Sequence, residues 1–180
     1  SKLRGTVKGT PIYGSPIASY KATANGTTYY TSSFTTSELK DFGSQTITAS
    51  VTDDRGHTGS NSTTISVLEY YTPKLNITAE RCNADGSPNI EGSNFKISID
   101  YNVAPLNNKN KFSISYKYRK SGEDNFITGN LTGSFTSIYD SAISFIVQNI
   151  DADSSYEIEV TITDNLGSET RAAKVGSAFT

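Results

Sequence analysis

Residues that support catalysis and disulfide bonding are scarce in this chain of 180 residues, which has no Met or Trp, one Cys and one His. Because Cys82 is alone, no disulfide can form within the chain, and packing alone must hold the fold together. His57 is the only imidazole, and no Gly-x-Ser-x-Gly motif or phosphate-binding glycine loop accompanies it. We therefore expect no enzyme activity, no catalytic residues and no cofactor.

Long apolar runs and clustered basic residues are also absent. No apolar run is long enough to cross a membrane, and no signal peptide or anchor motif is recognisable. A net charge of −2 without a basic stripe argues against nucleic acid as a partner. Since the chain lacks Met and begins inside an apparent strand, we expect it to be a fragment of a longer polypeptide.

The chain is rich in residues that favour strands. It contains 25 Ser, 23 Thr, 11 Tyr and 8 Phe, while its hydrophobic share is only 34%. Alternating apolar segments bounded by turn residues predict the strands. In the first half these are Leu3–Gly9, Ile17–Ala24, Thr27–Thr31, Thr46–Thr52 and Ser62–Leu68. In the second half they are Phe95–Val103, Phe112–Tyr118, Phe126–Phe135, Ile143–Asn149, Tyr156–Thr163 and Arg171–Phe179.

One pattern, an alternating strand that runs into an acidic turn with a closing glycine, occurs twice. The copies are Ile47–Gly56 and Ile158–Gly167, at an offset of 111 residues, which is the length of a small domain. Together with the short strands, the repeat predicts two tandem immunoglobulin-like or fibronectin type III-like β-sandwiches, residues 1–71 and 72–180. The first either forms a complete sandwich or lacks its first strand. The short junction Tyr70–Pro73 predicts a stiff, rod-like pair.

The two acidic turns could be metal sites, since carboxylates suit calcium. The simpler interpretation is structural. Asp53 and Asp164 would accept backbone hydrogen bonds, while Gly56 and Gly167 would take the left-handed conformation. The loop Asn83–Glu91 is also rich in oxygen ligands, but its Gly and Glu are in the wrong positions for an EF-hand. We predict no metal site, and whether this loop binds an ion stays open.

Exposed tyrosines are the candidate contact residues. Strand alternation turns one ring of Tyr29-Tyr30 and one of Tyr70-Tyr71 outward. A planar ring can stack on a sugar, so these four residues could contact a glycan or another partner. The alternative is ordinary strand decoration or packing at the domain junction.

The segment Ile150–Gly167 resembles the fibronectin type III stretch around its buried tyrosine. That family usually has Leu, Pro and Thr where this chain has Ile150, Ala152 and Ser154. The resemblance implies that Tyr156 begins the penultimate strand and that its hydroxyl is bonded to the preceding corner.

A wider resemblance covers nearly the whole chain. Four segments are similar to a family of minor structural proteins from siphophages of Gram-positive bacteria: Tyr13–Tyr20, Val51–Thr58, Arg81–Gly86 and Leu106–Asn110. The family often has Ala-Thr where this chain has Ser15-Pro16, and Arg where it has His57. None of these motifs is catalytic. The resemblance implies a virion setting, with other tail proteins as partners.

Three functional hypotheses follow. The first is a non-enzymatic module of a phage tail protein, extracellular in the virion, acting as a spacer, decoration or host-attachment rod. The second is a carbohydrate-binding domain that recognises host cell-wall glycan. The third is a module of a bacterial surface adhesin. The sequence does not distinguish their binding partners or oligomeric states.

Overall fold

The structure is a computed structural model that describes residues 1–11, 13–133 and 137–178. The chain divides into two compact units, unit 1 (Ser1–Glu69) and unit 2 (Tyr70–Thr180). The regular elements of the described residues are thirteen β-strands. No described residue belongs to a helix that is long and apolar enough to span a membrane.

The described residues of unit 2 form a seven-stranded sandwich. Its strands are β7 (Lys74–Cys82), β8 (Asn94–Asn102), β9 (Phe112–Lys120), β10 (Ile127–Leu131), β11 (Asp140–Val147), β12 (Tyr156–Asp164) and β13 (Ser168–Val175). One antiparallel sheet has the order β11-β8-β7, and the other has the order β10-β9-β12-β13. Three strands therefore face four, as in immunoglobulin-like sandwiches.

The core of unit 2 lies between these two sheets. The predicted inward face of β8, which includes Phe95, Ile97 and Ile99, is at most 1% exposed. Ile158 and Val160 of β12 are fully buried on the facing sheet. Strict alternation in both strands buries every second side chain, so hydrophobic burial stabilises this unit along the whole length of both sheets.

Unit 1 is a smaller sandwich. Its strands are β1 (Arg4–Thr6), β2 (Ile17–Ala24), β3 (Thr27–Tyr29), β4 (Ser33–Thr35), β5 (Gly43–Asp53) and β6 (Thr58–Val67). The sheet β3-β2-β5-β6 packs against the two-stranded sheet β1-β4. Among the described residues of unit 1, the buried core consists of Val7, Ala22, Ala24 and Phe34, and two of these four are alanines.

These elements confirm the predicted fold class of two tandem β-sandwiches. Two strands, β4 and β7, were not predicted from the sequence. In β7 the apolar alternation of Leu75, Ile77 and Ala79 ends in a charged residue, which weakened the pattern. The predicted strand at Leu3–Gly9 is shorter in the structure. Parts of two others, residues 134–135 and Phe179, lie outside the described residues.

Candidate functional site

The repeated acidic turns have different lengths. In unit 1, five residues (Asp53–His57) separate the last paired residues of β5 and β6, whereas four (Asp164–Gly167) separate those of β12 and β13. Asp53 Oδ1 accepts hydrogen bonds from the backbone N–H of Arg55 and of His57, both at 2.9 Å. Its other oxygen lies 3.2 Å from His57 Nδ1. Although burial by itself would raise the pKa of Asp53, these bonds lower it.

The closing glycines serve different purposes in the two turns. Gly56 has φ +86°, the left-handed conformation that was predicted. Gly167 does not, so the prediction is wrong for this residue. A Cβ at Gly167 would lie 3.0 Å from Tyr70 Oη and 3.5 Å from Thr72 Cγ2. Close packing, rather than backbone strain, therefore favours glycine in the second turn.

Asp164 is the centre of a buried polar cluster in unit 2. It is 8% exposed, and its Oδ1 accepts the backbone N–H groups of Leu166 and Gly167 at 2.8 Å each. Oδ2 accepts Asn110 Nδ2 at 2.9 Å, and the Tyr70 hydroxyl donates to Oδ1 at 3.3 Å. Burial alone would raise the pKa of Asp164, but these four donors hold it below its ordinary value of 3.8.

A left-handed turn presents Asn110 to this cluster. Leu106, Asn107 and Asn108 all have positive φ, between 49° and 61°. Asn tolerates this region better than Leu does, so the turn stores local strain at Leu106. Asn110 then reaches back, donating through Nδ2 to Ala104 O at 2.8 Å as well as to the carboxylate.

The Asp164 cluster predicts loss of stability in acid. A carboxylate whose folded-state pKa is depressed stabilises the fold above its unfolded pKa, and this contribution is lost as pH falls through the folded-state pKa. The cost of Asp164→Ala to the free energy of unfolding should therefore be constant above about pH 5 and shrink toward pH 2. Urea unfolding at pH 7, 5, 3 and 2 measures it. An equal cost at all four pH values would contradict this prediction.

Alanine should be unfavourable in both turns, but for different physical reasons. Gly56→Ala places a Cβ in open space but forces Ala into the left-handed region, at a cost of about 1 kcal/mol that Gly56→Asn should largely avoid. Gly167→Ala should instead displace the Tyr70 ring. If the ring is displaced, the bond from Tyr70 to Asp164 is already lost in Gly167→Ala. Adding Tyr70→Phe to Gly167→Ala should then leave the free energy of unfolding in urea unchanged. Additive effects of the two substitutions would refute displacement of the ring.

A buried arginine organises the opposite end of unit 2. Arg81, the penultimate residue of β7, is 6% exposed. Its guanidinium donates to four backbone carbonyl oxygens, those of Gly176 (2.7 Å), Gly92 (2.8 Å), Ser154 (2.6 Å) and Asp151 (3.4 Å). These carbonyls belong to the β7–β8 loop, the β11–β12 loop and the segment after β13, so one side chain joins three separate segments.

The corner before β12 lies beside this arginine. Tyr156 is 4% exposed, and its hydroxyl accepts a hydrogen bond from the backbone N–H of Asp151 at 2.9 Å. The Asp151 carboxylate accepts Lys120 Nζ and Ser154 Oγ, each at 2.8 Å, and Asp153 N. The bond from Lys120, with those from Ser154 and Asp153, lowers the pKa of Asp151 to about 2.

The four candidate tyrosines have different environments. The Tyr29 ring stacks on Phe34, with centroids 4.7 Å apart, and packs against the core of unit 1. Tyr30 is 74% exposed. Tyr70 donates to Asp164, and Lys74 Nζ lies 5.4 Å from the centroid of the Tyr71 ring. Tyr30 is thus the member of this set whose ring is most available to a ligand.

The loop Asn83–Glu91 uses its side-chain oxygens internally. Asp85 Oδ1 accepts both the N–H and the hydroxyl of Ser87, Asn83 Oδ1 accepts Asn89 Nδ2, and Asn89 Oδ1 accepts Glu91 N. The hydrogen bonds from Ser87 lower the pKa of Asp85. Within residues 1–11, 13–133 and 137–178, no group of three His, Cys, Asp or Glu residues is arranged to hold a metal ion.

Two organising residues, Arg81 and Asn110, were not predicted from the sequence. Arg81 occupies the core-facing phase of β7, since it follows Leu75, Ile77 and Ala79 at alternate positions. A charged residue in that phase is a signal that the strand pattern alone could have supplied. Asn110 had no comparable signal, because its partner Asp164 is 54 residues away.

Strand order defines the class of this protein: an all-β chain of two immunoglobulin-like sandwich units, as in fibronectin type III domains. A family described as "Siphovirus protein of unknown function (DUF859)" matches residues 6–179, and the chain belongs to that family. The predicted resemblance to a siphophage family is thus confirmed. No curated protein matches the chain significantly.

Solved structures of fibronectin type III domains are similar to the chain at low identity. The crystal structure of chicken CNTN1 FN1–FN3 domains matches 98% of the chain at 11% identity and a TM-score of 0.44, and the chain spans 62% of that structure. The fibronectin(III)-like modules of Clostridium thermocellum CbhA match 98% at 14% identity and a TM-score of 0.34, over 85% of their length.

Proposed function

We propose that this chain is a non-enzymatic structural module of a phage tail protein, extracellular in the virion, in which the units space or attach neighbouring parts. Membership of a siphovirus family supports the virion setting. The observation that carries the spacer role is the path of the chain through unit 2. The chain enters at Tyr70, beside the β12–β13 turn, and leaves near Gly176, beside Arg81 at the far end of β7.

This path suits a spacer because entry and exit lie at opposite ends of the sandwich. β7 has nine residues, so the two ends are about 30 Å apart along the strand. A module whose chain enters and leaves at the same end would add no such distance.

The polar clusters tie the entering and leaving segments to the body of the unit. At the entry, Tyr70 is bonded to Asp164 of the last hairpin. At the exit, Arg81 Nε is bonded to the carbonyl of Gly176, one residue after β13. Force transmitted along the polypeptide would therefore act first on these two hydrogen bonds, one at each end of the unit.

Labelled virions test the proposal. Gold-conjugated antibodies raised against this chain should decorate the tail of siphovirus particles when they are examined by electron microscopy. Antibody preabsorbed with the purified chain provides the control. Gold confined to the capsid, or protein found only in the host cytoplasm, would contradict the tail assignment.

A second candidate function, glycan binding, is favoured by exposed rings in unit 1. Tyr13 is 89% exposed and lines a shallow depression of about 340 Å³ together with Asp53, Arg55 and His57, while Tyr30 is 74% exposed. Aromatic rings beside polar side chains are the groups that bind sugars. Calorimetric titration with soluble fragments of the host cell wall tests this function. Binding should be lost in Tyr13→Ala or Tyr30→Ala, and no binding by the unaltered chain would exclude it.

A further inference from the structure

Unit 1 has an open groove beside β1. The groove, with a volume of about 360 Å³, runs between β1 on one side and β6 on the other. Apolar side chains that belong to or pack against the unit 1 core line it: Leu3, Val7, Phe34, Ile47 and Ala49. An apolar groove between two strand edges has the shape and chemistry to accept a further strand.

Unit 2 shows which element belongs in this place. The sheet β3-β2-β5-β6 of unit 1 has the same order as β10-β9-β12-β13 of unit 2, and the pair β1-β4 corresponds to β8-β11. In unit 2, β8 also pairs along its other edge with β7. Among the described residues of unit 1, no strand corresponds to β7.

Burial in the equivalent strands β5 and β12 shows that the described residues of unit 1 cover β5 less fully than unit 2 covers β12. At the offset of 111 residues, Ile47 corresponds to Ile158 and Ala49 to Val160. Ile158 and Val160 are 0% exposed, whereas Ile47 and Ala49 are only partly buried. On the neighbouring strand β6, Thr63 pairs with Ile47 and Asn61 pairs with Ala49, and both of these β6 residues are exposed.

The free edge of β1 also carries backbone groups suited to pairing. Leu3 O accepts Thr36 N, and Val7 N donates to Ser32 O, so the odd-numbered residues face β4. Alternation then directs the N–H and C=O groups of Arg4 and Thr6 to the opposite edge, along the groove. Such an edge is a template for strand addition.

We infer that the groove of unit 1 receives an added β-strand, antiparallel to β1, from the polypeptide segment that runs immediately before β1. The source follows from unit 2, where β7 immediately precedes β8 in the chain. The strand should carry apolar side chains at alternate positions, as β7 does with Leu75, Ile77 and Ala79, because one face must cover Ile47 and Ala49. This inference is independent of the proposed function.

A chain with an added strand tests the inference. A copy of residues 74–90 placed directly before Ser1 preserves the connection length between β7 and β8. The matched control carries the same copy with Leu75→Ser and Ile77→Ser within it. The unextended chain is the reference, and amide hydrogen exchange followed by NMR is the measurement.

The extended chain should protect the amides of Arg4 and Thr6 at least tenfold more than the reference does. Unit 1 should also melt several degrees higher, and the serine control should match the reference. Equal protection in all three chains would overturn the inference. A second result would also overturn it: protection of these amides in the unextended chain that increases with protein concentration, together with dimers in sedimentation velocity. The occupant of the groove would then be a second copy of the chain.

Discussion

Replacing Arg81 by Met should destabilise unit 2 by about 3–5 kcal/mol, the largest effect expected of a single polar side chain here. The substitution keeps an apolar stem in the core-facing phase of β7 but removes the guanidinium. The carbonyls of Gly92, Ser154 and Gly176 would then lose charge-assisted hydrogen bonds of 2.6–2.8 Å. Because the surrounding loops shield these carbonyls, water cannot easily replace the lost hydrogen bonds. The loss in free energy of unfolding is therefore large.

Hydrogen exchange with mass spectrometry measures this effect where it should occur. Protection should fall in β7 and in the segment after β13, while unit 1 stays unchanged. Arg171→Met is the matched control, because Arg171 lies on the neighbouring strand β13 with its side chain 53% exposed. If unit 2 is as stable in Arg81→Met as in Arg171→Met, the prediction is wrong. Water would then satisfy the four carbonyls adequately without the guanidinium.

Asp164→Ala should cost unit 2 about 3 kcal/mol, whereas Asp53→Ala at the equivalent position should have a much smaller effect on unit 1. Asp164 is 8% exposed and receives four hydrogen bonds, one of them from the buried amide of Asn110. Removing the carboxylate leaves that amide with one fewer acceptor in a buried site. Around Asp53 the donors are exposed, so water replaces the lost bonds.

The two variants control each other, because the substitution and the turn position are the same. Urea unfolding gives the overall cost, and hydrogen exchange assigns it to one unit. Asn110→Ala, measured with Asp164→Ala in a double-mutant cycle, should show a coupling of about 1–2 kcal/mol. Equal costs for the two Asp variants would mean that local turn bonds, rather than the buried cluster, account for the contribution of Asp164.

The repeated turn shows how much of the structure the local sequence could predict. The alternation before Asp53 and Asp164 correctly predicted two strands that end in hairpins, since side-chain direction in a strand depends only on position. The same pattern gave no means of knowing that one turn is a residue longer. It also could not show that a side chain at position 167 would crowd Tyr70, which is remote in sequence.

The sequence by itself determined the all-β class, the duplication and most of the strands, because periodicity and turn chemistry act over a few residues. Tertiary structure alone decided which acidic turn is buried, what Arg81 holds together and which strand of unit 2 has no counterpart among the described residues of unit 1. Asn110 meets Asp164 across 54 residues, and Arg81 meets Gly176 across 95. The burial of a residue and its hydrogen-bond partners depend on which distant strand or loop packs over it. A local sequence pattern carries no information about that packing.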